Sequence, residues 1–141
     1  VSDCGTPGFC DPGNNLIQLC RKNKVLVKTV LGASSLMGLL SLSSQRINQF
    51  LFRGFMPAEN ESRAKEWTKL KAEKNAIIIM DTPYRLKKTL EEVVQHFNSR
   101  DILLVMNLSQ ETEEVLEGRP SFVLQNLKFA KAEFMLMIYS V

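Results

Sequence analysis

The order of apolar and polar positions along the chain predicts an alternation of short strands and amphipathic helices. Val1-Ser2-Asp3 reads as the end of a strand entering a glycine- and proline-rich loop, Cys4 to Gly13, after which Leu16, Ile17, Leu19 and Cys20 follow with helical spacing. Asn14 or Asn15 is the natural N-cap of that helix, because a short polar side chain accepts from the free N–H groups of a first turn. Val25 to Val30 is a β-branched run and predicts a strand; past Gly32 comes a second helix capped by Ser34 or Ser35. Such alternation argues for an α/β fold with a parallel sheet, whose ligand sites form where the strands end.

A polar stretch, Ser41 to Asn48, is the expected linker to a second lobe. Phe50 to Phe55 resumes as a strand, Glu61 to Lys74 is a charged helix anchored by Trp67 and Leu70, and Ala76 to Met80 is a buried strand of the kind found in parallel sheets. Pro83 suits the first turn of a helix on which Leu86, Leu90, Val93, Val94 and Phe97 form one apolar stripe. Ile102 to Leu108 is a further strand, followed by one around Glu113 to Leu116, a short helix after Pro120 and a last strand from Phe134 to Tyr139. The expected division is residues 1–45 for the remainder of a first, Rossmann-like lobe and 46–141 for a second α/β lobe.

Composition narrows this little. With 141 residues, 45% of them hydrophobic, a real core is expected. A net charge of +3 permits an anionic partner without demanding one. The three cysteines, Cys4, Cys10 and Cys20, contain no C-x-x-C pair, and the only histidine, His96, is distant, so neither a disulfide framework nor a metal site is expected. Reduced thiols place the protein in the cytoplasm. The longest apolar stretch, Val25 to Leu42, is interrupted by Lys28, Gly32 and hydroxyl residues, which excludes a membrane span there. The direct start on Val-Ser-Asp suggests a chain that begins inside a fold.

The first loop carries the chemistry. Ser2-Asp3-Cys4-Gly5-Thr6-Pro7 and Asp11-Pro12-Gly13 combine glycines, which allow close approach of a ligand, with exposed N–H groups that can meet a carboxylate or a ribose. The pattern resembles the S-D-A-G-T-P-x-x-S-D-P-G signature of ribosomal RNA cytidine 2′-O-methyltransferases, a branch of the S-adenosylmethionine-dependent tetrapyrrole methylase superfamily, with Cys4 in place of the alanine. Further along, Val30-Leu31-Gly32-Ala33-Ser34-Ser35 resembles L-P-G-P-S-A, Phe50 to Pro57 resembles F-L-F-x-G-F-L-P, Asp81-Thr82-Pro83-Tyr84-Arg85 resembles E-S-P-H-R, and Lys131-Ala132-Glu133-Phe134 resembles K-G-E-F. The likeness is collinear along the whole chain.

The resemblance implies two α/β lobes, the first truncated here, with S-adenosyl-L-methionine bound in the cleft between them. Carried over position by position, Gly5, Thr6 and Phe9 meet the amino-acid and ribose portions of the donor, Ser34 and Ser35 line the same side, and Met80, Met106, Asn107 and Ala132 surround the adenine. It also implies a homodimer and methyl transfer to an acceptor, of which a ribosomal RNA ribose 2′-hydroxyl is one candidate. Several positions depart from the pattern. R-E-L-T-K stands here as Met106-Asn107-Leu108-Ser109-Gln110, Leu31 replaces a proline, and Tyr84 replaces a histidine. Lost cations mean lost phosphate contacts, so RNA is weakened as the acceptor, which stays unidentified. The carboxylates inside the motifs, Asp3, Asp81 and Glu133, are the candidates for a general base, whereas His96 reads as a surface or packing residue. The alternative is a catalytically inactive homologue whose basic stretches, Arg21, Lys22, Lys24 and Lys28 or Arg85, Lys87 and Lys88, bind RNA or a protein.

Overall fold

The structure, a computed structural model, describes residues 7–141. The chain divides between Met37 and Gly38 into two compact units.

In the first unit, α1 spans Asn14–Lys22. Gly13 rather than an asparagine occupies the N-cap, with φ 147° and no side-chain bond, and its carbonyl accepts from Ile17 at 3.0 Å. Both asparagines lie inside the helix because the left-handed backbone that Gly13 supplies starts it one residue earlier. The other end closes as a Schellman turn. Val25 N donates to Cys20 O at 2.9 Å and Lys24 N to Arg21 O at 3.1 Å, with Lys24 at φ 57°. The strand expected over Val25–Val30 is absent: these residues belong to no helix or strand, and Val30 is 87% exposed. A β-branched run favours extended backbone, but it becomes a strand only when a neighbour takes its hydrogen bonds. The described part of this unit offers none. Ser34 does cap the next helix, α2 (Ser35–Ser41), accepting from Met37 N at 3.4 Å.

The second unit holds a five-stranded sheet of β1 (Phe50–Phe55), β2 (Ala76–Asp81), β3 (Ile102–Met106), β4 (Glu114–Gly118) and β5 (Phe134–Ile138), in the order β1-β2-β5-β3-β4. Only β1 and β2 pair in parallel. The strand that closes the chain enters between β2 and β3 and runs antiparallel to both. Ala76–Met80, expected as a strand of the parallel-sheet kind, is thus paired in parallel on its β1 side and antiparallel on its β5 side. β4 has already carried the chain to the amino end of β3, so residues 119–133 must return it before β5 starts. A β-bulge between Phe52 and Gly54 bends the end of β1. Gly54 has φ 70°, and a Cβ there would lie 3.3 Å from the Phe52 ring, so glycine is needed.

Three helices flank the sheet in sequence: α3 (Asn60–Leu70), α4 (Leu86–Phe97), which follows a 3-10 turn at Pro83–Arg85, and α5 (Pro120–Gln125). Alternate strand residues Ile77, Ile79, Ile102, Leu104, Leu136 and Ile138 join Trp67, Leu70, Leu86, Leu90, Val93, Phe97 and Val123 in one apolar cluster. The intervening residues, including Ile78, Leu103, Val105 and Met137, are also buried. That explains why the strands read as unbroken apolar runs. Glu59 caps α3, accepting from Glu61 N at 2.8 Å and Ser62 N at 2.7 Å; hydrogen bonding with the Ser62 side chain first, and then these two N–H groups, hold its carboxyl below the usual range. The helix stops at Leu70 rather than Lys74, where Ala72 and Glu73 form tighter turns onto Lys69 O and Leu70 O.

The frame at the amino end of β2 is fixed by Arg100. Its guanidinium donates to Tyr139 O at 2.5 Å, Glu73 O at 2.8 Å and Asn75 O at 2.7 Å. Burial pushes the Arg100 cation down from its ordinary pKa. Nearby, the Tyr139 hydroxyl donates to Glu117 and accepts from Ser43, tying residue 43 to the sheet.

Candidate donor-binding end of the sheet

The strand register brings four of the expected site residues to one end of the second unit. Asp81 and Met106 each face Phe134 across β5, and Met80 and Val105 each face Met135. The carboxyl ends of β2 and β3 therefore meet the amino end of β5, and Ala132 immediately precedes that end. Open α/β sheets bind their ligands at this kind of edge. Asn107 links the strands: its N–H donates to Glu133 O at 2.8 Å, while Gln110 N closes a turn onto Asn107 O at 2.9 Å. Asn107 and Ser109 have φ 50° and 64°, and this left-handed turn ends β3 two residues before Leu108. Asparagine tolerates that conformation better than most residues.

The four residues are not equivalent. Met106 and Ala132 belong to the buried apolar cluster, whereas Met80 is half-buried outside it and Asn107 is half-buried at the surface. Met80 lies on the sheet face opposite the cluster that holds Met106 and Ala132, and the Asn107 side-chain amide donates to Thr112 Oγ1 at 3.1 Å; the four residues share an end of the sheet but not one face. In the first unit, Phe9 is 53% exposed, Ser34 is half-buried with its hydroxyl on Met37 N, and Ser35 is the exposed first residue of α2. Gly5 and Thr6, like Asp3, lie outside the described residues.

Of the candidate bases, Asp81 is fully engaged. Its Oδ2 accepts from Arg63 at 2.6 Å and Thr89 Oγ1 at 3.2 Å, and its Oδ1 accepts from Thr82 N at 2.8 Å with the Arg85 guanidinium 3.5 Å away. Glu133 is exposed. Arg63 is the centre of this cluster and is only 1% exposed. Besides Asp81 it reaches Glu92 at 2.7 Å, Thr89 Oγ1 at 2.9 Å and Pro57 O at 3.3 Å. Burial alone would lower the Arg63 pKa; hydrogen bonds with Glu92 and Asp81 outweigh it and hold the cation above its ordinary value. This cluster was not anticipated from sequence. The signal for it was a charged residue, Arg63, on the same stripe as Trp67 and Leu70.

The residues at this end suit a neutral, flat, polar-edged ligand such as a nucleobase. They offer the half-buried Met80 and Asn107, and Thr82 Oγ1 is buried without a hydrogen-bond partner in this part of the structure. Among the described residues no group of three or more His, Cys, Asp and Glu side chains could hold a metal ion, and no helix is long and apolar enough to cross a membrane. A cleft of about 510 Å³ opens instead at the other end of the sheet, beside Lys71, His96, Arg100, Arg119 and Tyr139. Its arginines are already committed, Arg100 to three carbonyls and Arg119 to Asp101 and Ser99 O. At the strand ends, by contrast, Met80 and Asn107 are half-buried beside the loops.

A mixed α/β sheet with loops gathered at the carboxyl ends of its parallel strands defines the class. Residues 1–121 match the family Tetrapyrrole (Corrin/Porphyrin) Methylases, and the chain belongs to that family. It is 34% identical over 118 residues to the ribosomal RNA small subunit methyltransferase I of Neisseria meningitidis serogroup B, covering 84% of this chain and 40% of that protein. It is likewise 34% identical over 140 residues to the protein of the same name from Rickettsia prowazekii, covering 98% of this chain and 50% of that one. The chain thus spans about half the length of the curated relatives it matches. Uroporphyrin-III C-methyl transferase from Thermus thermophilus, in complex with S-adenyl homocysteine, superposes with a TM-score of 0.56 at 15% identity over 96% of this chain and 62% of that one. At that identity the likeness shows the fold alone.

Proposed function

We propose that the protein transfers a methyl group from S-adenosyl-L-methionine, and that its acceptor is a ribose hydroxyl of small-subunit ribosomal RNA. The observation that carries the donor is the convergence of Met80, Met106, Asn107 and Ala132 on one sheet end in a chain of methylase family. The acceptor is supported by the names of the relatives at 34% identity.

When bound, the donor supplies a methyl group on a sulfonium, an electrophile with a good leaving group. The chain's own task is then alignment and exclusion of water. Met80 and Asn107 would contact the adenine, while the buried Met106 and Ala132 would hold the ends of β3 and β5 that carry the Asn107 turn. The Asn107 N–H to Glu133 O bond keeps two of the site's loops together. Asp81 cannot accept a proton from an acceptor while its oxygens hold Arg63, Thr89 and Thr82 N; among the two described candidates this leaves Glu133. A homodimer belongs to the same reading, and light scattering measures it.

Calorimetric titration of the full-length protein with S-adenosylhomocysteine tests the donor. A saturable isotherm is expected, and no heat up to about 1 mM would sink the reading. Labelled methyl transfer to isolated small subunits, to free ribosomal RNA and to a tetrapyrrole then tests the acceptor. Label in the tetrapyrrole alone would overturn RNA.

A further inference from the structure

We infer that Arg63 is a positioning residue for the methyl donor, fixing the two loops that leave the carboxyl ends of β1 and β2; the inference rests on the donor reading above. The guanidinium does not reach the surface, so it touches no ligand itself. Its contacts fall instead on the parts whose placement a ligand at this edge would sense. Pro57 O belongs to the exit of β1, Asp81 ends β2, and Thr89 and Glu92 lie on α4, which follows that exit. Asp81 passes the constraint on by holding Thr82 N, and Met80, the half-buried candidate for adenine contact, is its immediate neighbour. The two exits are also joined by Met56 N donating to Met80 O at 3.3 Å.

Two physical arguments favour positioning over simple support. A buried ion cluster is a poor source of net stability compared with apolar residues of the same volume, whereas a planar fork with five N–H donors sets direction and distance for several partners at once. The second argument is a comparison within the fold. Arg100, the other buried arginine, grips Tyr139, Glu73 and Asn75 carbonyls at the opposite end of the sheet. It gives the same kind of support with no link to the donor edge.

The test compares R63K with R100K in the full-length protein, using calorimetry with S-adenosylhomocysteine, thermal melting, and KM and kcat for S-adenosylmethionine. For R63K the dissociation constant is expected to rise roughly tenfold with unchanged stoichiometry, KM rising in parallel and kcat staying within about twofold. R100K is expected to lose at least as much thermal stability while binding as tightly as the unaltered protein. An R63K protein that binds normally, or loses only binding-competent fraction, overturns the inference, as does an R100K protein whose dissociation constant rises equally. Should R63K not fold, Glu92→Gln carries the same test: a weakening of a few-fold supports the inference, and unchanged affinity overturns it. If the unaltered protein itself does not bind, the donor reading fails and takes this inference with it.

Discussion

Replacing Arg63 by methionine removes a cation whose side chain is 2% exposed from between two carboxylates, Asp81 at 1% and Glu92 at 19%. The aliphatic length is nearly kept, so the loss is electrostatic and directional rather than a cavity. Breaking one side of a buried ion cluster costs about 3–5 kcal/mol, because the remaining charge stays desolvated without a partner. Two features place Arg63→Met at the lower end, near about 3 kcal/mol. Glu92 can turn toward water, and Arg85 already stands 3.5 Å from Asp81. Against a typical total of about 5–15 kcal/mol that is a large loss. Trp67 is the sole tryptophan, is 1% exposed and stacks on His96 with centroids 5.8 Å apart, so its fluorescence reports the unfolding of this unit. Urea melts followed by that signal should show a lower midpoint with unchanged slope. The triple variant Arg63→Met, Asp81→Leu, Glu92→Leu removes every charge of the cluster's core and should return to within about 1 kcal/mol of the original. A single variant costing under about 1 kcal/mol, or a triple variant no better than the single, would refute the account of a charge cluster that matters through its mutual pairing.

Two further outcomes follow from local geometry. At Asn107, φ 50° suits asparagine or glycine, so Asn107→Val should cost about 1–2 kcal/mol while Asn107→Gly costs much less; equal urea midpoints for the two would contradict a left-handed turn there. Burial, and then Lys71, lowers the His96 pKa from the ordinary 6.5, partly opposed by Glu92. The unfolded chain therefore takes up this proton before the folded one does. The contribution is fully present above about pH 6.5 and declines as pH falls from there toward the folded value, so the fall in Tm over that window should be shallower in His96→Gln than in the unaltered protein. Identical slopes would remove His96 from the account.

The sequence was most readable where one element's pattern suffices. The strands at Phe50, Ala76, Ile102, Glu114 and Phe134 and the α4 stripe through Leu86, Leu90, Val93 and Phe97 stand where periodicity puts them. What it missed depends on partners distant in the chain. The antiparallel entry of β5 between β2 and β3 is a pairing choice that a buried strand does not encode, since a Phe-Met-Leu-Met-Ile run fits either direction. Val25–Val30 shows the converse, a good strand pattern with no ladder. Arg63 was legible only as an anomaly, a cation on an apolar stripe, and its partners Asp81, Thr89 and Glu92 lie 18 to 29 residues on.

The same distinction separates donor from acceptor. The stretch Met106-Asn107-Leu108-Ser109-Gln110, in which the charges of the related pattern are replaced, forms a turn held by main-chain bonds from Asn107 N to Glu133 O and from Gln110 N to Asn107 O. Neutral substitutions leave those bonds intact, and of the two left-handed positions, Asn107 at φ 50° and Ser109 at φ 64°, the first is an asparagine suited to it. The geometry of this turn therefore survives the changes. Ser109 and Gln110, by contrast, are exposed, and a cation there would act outward, on a phosphate. Reintroducing lysine at Gln110 should then leave S-adenosylhomocysteine affinity unchanged and steepen the salt dependence of RNA binding by about one phosphate contact. An effect on the cofactor with none on the salt slope would reverse the assignment of the two faces of this turn.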